Sequence, residues 1–165
     1  MLSLRKILVP TDFSEDSAGA LEYAEELASK FGSEIVPLHV DQVIAPVVVG
    51  PGPGAGYDPG AMEAIGRIAD EQRVLAQREL DKIVERLGQQ GIKAHALLRT
   101  GAPFVEIVTA AKNEKADLIV MGTHGRTGLS HILVGSVAEK VVRKAPCPVL
   151  TVRHPNRKFK HPLDD

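Results

Sequence analysis

Three glycines, a serine and an upstream aspartate are the residues whose types and spacing suggest chemistry. Two residues separate Gly122 from Gly125, and nine more separate Gly125 from Gly135-Ser136. The apolar run Leu118-Ile119-Val120-Met121 precedes them. An amphipathic run, with Val137, Ala138, Val141, Val142 and Ala145 on its apolar side, follows. This reads as a strand, a glycine-rich loop and a helix N-terminus. Such a junction aims backbone N–H groups and the positive end of a helix dipole at one point, which suits phosphate. Glycine lets the backbone approach a ligand closely and take positive φ without steric cost. No Lys-Ser/Thr follows the glycines as in a P-loop, and the spacing is not the dinucleotide fingerprint. The plain alternative is a glycine-rich connection with no ligand. Arg126, inside the loop, is either a charge facing phosphate or a solvated surface cation.

Asp12 belongs to the turn Pro10-Thr11-Asp12-Phe13-Ser14, just past the apolar run Ile7-Leu8-Val9. In an open α/β sheet, ligands bind outside the strand carboxyl ends where strand order reverses. The other role for this acid is a loop or cap hydrogen bond. Elsewhere the sequence offers little catalysis. His124 and His131 are seven apart in a loop, a weak metal pattern. No paired carboxylates, Ser-His-Asp order or histidine cluster stands out. The single Cys147 excludes an internal disulfide framework and a cysteine zinc site, and it suits a reducing compartment. The net charge of −1 and the lack of a basic run give no support to nucleic-acid binding. The first apolar run meets Pro10 too early for a signal peptide or spanning helix, so a soluble cytoplasmic protein without membrane contact is expected.

The elements that must position these residues follow from the pattern. The 165 residues, 44% of them apolar, suit one domain over 1–154 and a polar tail over 155–165. A strand spans Leu4 to Val9. Ser14 caps a helix that carries Glu15 and Asp16 in its first turn and Leu21, Ala24, Leu27, Ala28 and Phe31 on its buried face, and Gly32 stops it. A second strand runs from Ile35 to Val40. Pro37 inside it predicts a local irregularity, and His39 reads as a packed or hydrogen-bonded core histidine. Residues 45–60, rich in Pro and Gly, read as a flexible insertion over the pocket mouth. A long helix from Ala61 to Gln90 shows the stripe Leu80, Ile83, Val84 and Leu87. A strand over Lys93–Arg99 and a helix from Pro103, with Phe104, Ile107, Val108 and Ala111 inward, come next. After the glycine loop and its helix, Val149–Val152 forms a fifth strand. The alternation implies an α/β fold: a parallel sheet with helices on both faces and right-handed crossovers.

The opening Ile-Leu-Val-Pro-Thr-Asp, the segment Ala-Asp-Leu-Ile-Val-Met-Gly-Thr-His-Gly-Arg, the Gly135-Ser136 pair and the ending Ala-Pro-Cys-Pro-Val-Leu together resemble the universal stress protein family. The resemblance covers Leu4 to Arg153. The glycine spacing is similar to the family's ATP-binding motif, G-x-x-G-x9-G-S/T. The resemblance implies an open five-stranded sheet of order 3-2-1-4-5, Rossmann-like and of the adenine nucleotide alpha hydrolase type. Its switch point would bring Asp12 and the glycine loop to one crevice. It implies ATP with Mg²⁺ as ligand, Asp12 being the route to the metal. Gly122, Gly125, Gly135 and Ser136 would hold phosphates, with Arg126 adding charge. Pro10, Thr11, Asp12 and Val40 would frame adenosine, and Met121 and Val137 would flank the site. Phe13 stands where many members carry glycine. The family also implies a homodimer through the edge strand Val149–Val152 and a further protein partner. The function implied is a nucleotide-dependent regulatory or stress-response module. The alternative is a slow ATP hydrolase or adenylate-forming enzyme. Phosphoryl transfer needs a group that orients the attacking water, and no spacing here demands one, so the binder is the favoured reading.

Overall fold

The computed structural model describes residues 3–42, 59–123 and 135–153. In chain order they form β1 (Lys6–Pro10), α1 (Glu15–Phe31), β2 (Glu34–Asp41), α2 (Pro59–Gln89), β3 (Leu97–Thr100), α3 (Pro103–Asn113), β4 (Leu118–Gly122), α4 (Ser136–Lys144) and β5 (Val149–Val152). The sheet order is β3-β2-β1-β4-β5, and every pairing is parallel. The order reverses between β1 and β4. The predicted insertion at 45–60 lies outside the described residues except for Pro59 and Gly60, which open α2. The predicted tail at 155–165 also lies outside them.

Side chains alternate across a strand, and β1 shows why the fold needs helices on both faces. Ile7 and Val9 pack into one cluster with Ala20, Leu21 and Ala24 of α1 and Leu87 of α2. Leu8 packs into the other with Ile107 and Ala111 of α3 and Val141 of α4. All three β1 side chains are fully buried, as a central parallel strand requires. The α2 stripe behaves as its spacing predicts: Leu80 and Leu87 are fully buried. Its N-terminal half is different. Ile68, Val74 and Leu75 are exposed, because 31 residues give a helix of roughly 46 Å, longer than the sheet it covers.

Pro37 disturbs the sheet on one side only. Its pairing with Val9 of β1 is continuous. Towards β3, a bridge joins Ile35 to Ala94, and the ladder resumes only at Leu38 and Leu97. Ile35 N donates to Lys93 O and Ile35 O accepts from His95 N. Alternation therefore turns position 37 towards β3 as well, where proline has no N–H to give. This is why β3 begins at Leu97 rather than at the expected Lys93.

The amino end of the sheet is held by a different set of contacts. Asp117 Oδ2 accepts from the backbone N–H of Arg5 at 2.8 Å and of Lys6 at 3.0 Å, fixing the start of β1 to β4. Beside it, Lys6 Nζ lies 2.9 Å from Glu114 Oε2 and 3.7 Å from Glu34 Oε2. His95 reaches Glu34 through Nδ1 at 2.9 Å and Glu114 through Nε2 at 3.2 Å. The hydrogen bond from Lys6, with its charge, holds the Glu114 carboxyl below its ordinary range. Burial opposes ionisation of Glu34, but the His95 hydrogen bond and the charges of Lys6 and Lys93 outweigh it. The Glu114 hydrogen bond raises Lys6 in return.

Candidate functional site: the crevice at the β1–β4 switch point

The site is built at the carboxyl ends of β1 and β4, where two helices begin. Asp12 Oδ1 accepts from the backbone N–H of Ser14 at 3.1 Å and from its hydroxyl at 2.5 Å. Ser14 in turn caps α1, its Oγ accepting from Ser17 N at 3.3 Å. Thr11 Oγ1 accepts from Phe13 N at 3.0 Å and lies 3.1 Å from Ser17 Oγ. The turn is thus closed by its own short polar side chains. Asp12 does make the loop hydrogen bonds of its plainer reading, while its half-buried carboxylate stays at the strand end.

Phe13 adopts φ 62°, a left-handed conformation that a bulky residue rarely takes. Its ring stacks on His39 at 4.5 Å between centroids and 27° between planes. His39 Nδ1 lies 2.8 Å from Thr11 O, and its Nε2 lies 3.3 Å from Asp41 Oδ1. The aromatic contact offsets part of the backbone strain. His39 therefore fastens the end of β2 to the turn after β1, as expected of a packed core histidine.

Gly122 ends β4 against the first turn of α1. A Cβ there would lie 2.9 Å from Asp16 O and 3.2 Å from Asp16 Cβ. This close approach is what requires glycine, and it brings the Asp12–Asp16 segment directly onto the β4 end. Thr123, buried, then donates its N–H to Val152 O at 3.0 Å, and its carbonyl accepts from Gly135 N at 2.7 Å. That bond sets the start of α4 beside the end of β4. Gly135 is the α4 N-cap, at φ −66° and ψ 153°, and supplies no side-chain cap. So the glycine at 135 is not there for positive φ.

The structure thus gathers Pro10, Thr11, Asp12, Met121, Gly122, Gly135, Ser136 and Val137 at one end of the sheet. Pro10 and Met121 are buried, Ser136 is exposed and the others are half-buried. The Met121 side chain is committed to the core beneath α3 and α4. Val40 sits near the end of β2. Leu38 O accepts from Thr11 N, so alternation turns the backbone N–H and C=O of Val40 to the same side, beyond the end of β1. Gly125 and Arg126 lie outside the described residues, as do His124 and His131. Sequence reasoning missed the pivot role of Thr123 and the contact of Asp16 with Gly122. The only signal for either was adjacency to a motif residue. A surface concavity on α1, lined by Glu22, Glu25, Glu26, Ser29, Lys30 and Gln90, lies away from this crevice. Three carboxylates against one ammonium make it a poor seat for phosphate.

Comparison with known proteins agrees with this architecture. The model of the universal stress protein family matches residues 3–153. The universal stress protein MJ0531 of Methanocaldococcus jannaschii is 40% identical over 153 residues, covering 93% of this chain and 84% of the relative. The solved structure of MJ0577 from the same organism superposes with a TM-score of 0.79 at 32% identity, covering 93% of this chain and 99% of that one. A universal stress protein family protein from Arabidopsis thaliana with AMP bound shares the fold at a TM-score of 0.62 and 22% identity, over 98% of this chain and 99% of that one. A sheet of order 3-2-1-4-5, a glycine-bounded junction at its switch point and a match along nearly the whole sequence lead to one conclusion: the chain belongs to the universal stress protein family.

Proposed function

We propose that the β1–β4 crevice binds ATP with Mg²⁺ and that the chain is a nucleotide-dependent regulatory module of the stress-response type. The contrast between the two helix starts that flank the crevice carries this reading. The α1 start is capped by Ser14 and faces Glu15 and Asp16, so its positive end is already compensated. The α4 start, Gly135-Ser136-Val137, has no side-chain cap, and Glu139 is the one acid of its first turn. It is the end left to an anion. Gly122, Gly135, Ser136 and Val137 line the phosphate path, with Gly125 and Arg126 contributed by the intervening loop. The backbone of Val40 matches the donor and acceptor on an adenine edge, Pro10 and Thr11 wall the nucleoside, and Met121 supports the site from the core beneath it. The Arabidopsis relative with AMP supports this at the level of fold: the same architecture accepts an adenine nucleotide.

Mg²⁺ keeps several waters and takes one or two carboxylates besides substrate phosphates. Among the described residues no cluster of three or more His, Cys, Asp or Glu forms a protein cage. One carboxylate, Asp12, with ATP phosphates fits that chemistry. The ion would neutralise phosphate charge there. Strand β5 ends the sheet, Leu150 is exposed, and among the described residues β5 pairs only with β4, so its outer side can take a second copy. We place a homodimer seam along Val149–Val152.

Gly135→Val tests the phosphate assignment. The backbone angles at 135 accept a branched residue, so the fold should be retained, and ATP affinity should fall by about 10-fold or more. Unchanged affinity would contradict the assignment. The hydrolase alternative is tested by turnover in Asp12→Ala, where multiple turnovers lost with that carboxylate would replace the binder by an enzyme.

A further inference from the structure

His39 faces more acceptors than a neutral imidazole can serve. Its Nδ1 lies 2.8 Å from Thr11 O, and its Nε2 lies 3.3 Å from Asp41 Oδ1. A backbone carbonyl and a carboxylate only accept, while a neutral imidazole carries one N–H. Only the imidazolium donates to both. In the neutral ring the shorter contact keeps the proton on Nδ1, and the lone pair of Nε2 then faces the carboxylate. The side chain is 12% exposed, so water is a poor substitute for the lost partner.

Each partner leads to a part of the crevice. Thr11 also donates its N–H to Leu38 O at 2.8 Å. The bond from His39 thus ties the turn to β2 a second time, directly beside Asp12. Asp41 lies two residues along β2, on the same face as His39, and its carbonyl accepts from Gly101 N at 2.9 Å, past the end of β3. The contact from His39 to Asp41 therefore spans Val40, the residue whose backbone groups would read the base. Phe13 closes the corner by stacking on His39, and a cation is attracted to an aromatic face. Other charged groups around this corner come from every neighbouring element. They are Asp12 in the turn, Glu15 and Asp16 of α1, Arg99 of β3 opposite Val40, Glu106 of α3 against Gly101, and Arg73 of α2. Arg73 Nη1 donates to Thr100 Oγ1, the cross-strand neighbour of Asp41.

We propose that His39 is a positioning residue for the nucleotide, whose protonation sets how firmly Val40 and the Asp12 turn are held, so that ATP binds more tightly as pH falls from about 8 to about 6. The proposal rests on the nucleotide reading above and adds a control of that site. By linkage, binding of ATP then takes up part of a proton.

The test is calorimetric titration of the wild type, His39→Gln and Asp41→Asn with ATP and Mg²⁺ between about pH 6 and about pH 8. Buffers of different ionisation heat report the proton uptake, and circular dichroism checks the fold of each variant. Ionisation of ATP itself is common to all three proteins, so the difference in pH slope reports on His39. Wild-type affinity should fall by about 3- to 10-fold over this range beyond the change seen in His39→Gln. Asp41→Asn should also lose the extra slope while still binding ATP, because an amide can donate to a neutral ring nitrogen or accept from a protonated one. A wild-type slope retained in either folded variant overturns the proposal and leaves the nucleotide reading in place. Weaker binding with that slope intact overturns it as well, since His39 would then only shape the fold. A folded wild type that takes up no ATP at either end of the range sinks both.

Discussion

A methyl group at position 122 would lie 2.9 Å from the carbonyl oxygen of Asp16. Backbone cannot yield there without moving α1, so Gly122→Ala should lower unfolding stability by about 1–3 kcal/mol, measured by denaturant titration. Gly135→Ala has extended-region angles available to any residue and should change stability by less than about 1 kcal/mol. The two motif glycines thus separate: the first is required by packing whether or not a nucleotide binds, and the second is the cleaner probe of a ligand. Ser14→Ala removes the α1 cap and the hydroxyl that Asp12 accepts from. It should cost about 1 kcal/mol by thermal unfolding. At this scale the sequence was legible where chemistry is local. The Ser14 cap and the αL stop at Gly32 follow from residue type alone. The left-handed Phe13 was not legible, because its ring contact with His39 depends on a strand 26 residues away in sequence.

Strands and helices were read from periodicity, and their errors have a common cause. Pro37 announced an irregularity, but only the pairing partner shows that it falls on the β3 side and shortens β3. The clamp of Asp117 on Arg5 spans 112 residues and has no signature in either segment. The same holds for the Lys6, Glu34, His95 and Glu114 network at the amino end of the sheet. Its pH dependence follows from the signs. Glu34 and Glu114 have folded pKa values below their ordinary ones. Their contribution is present above the unfolded carboxylate range and is lost as pH falls through the folded values. Lys6 is raised above 10.5, so its contribution is complete below that pH and is lost as pH rises through its folded value. Stability from this network should therefore hold on a plateau between the carboxylate and lysine ranges and decline on the acid side below about pH 4. Lys6→Met should lower the plateau by about 1 kcal/mol, the pairs being partly solvated, and should flatten the acid decline. An acid decline identical in slope to that of the wild type would show that these carboxylates are not its source.

For the whole molecule, the edge strand β5 and the switch point are the two features with consequences. Ile119 N donates to Pro148 O, and Thr123 N donates to Val152 O. Positions 149, 151 and 153 therefore turn their backbone groups outward, away from β4. Thr151→Pro removes an outward N–H without touching the internal ladder, as proline is tolerated on an edge strand. Sedimentation equilibrium should show wild-type dimers and Thr151→Pro monomers with the fold intact. A wild type that stays monomeric at high concentration would remove β5 as a seam. The switch point was the most legible feature of all. Apolar runs and glycine spacing marked the strand ends, and the family resemblance supplied the order that the sheet adopts. The account's central claim is that this crevice holds an adenine nucleotide. Its most direct test is calorimetric titration of nucleotide-stripped protein with ATP and Mg²⁺. Saturation near one ATP per chain is the expected result. A folded protein that takes up no ATP would contradict the claim, leaving the fold in place and moving the function to the surfaces of an interaction module.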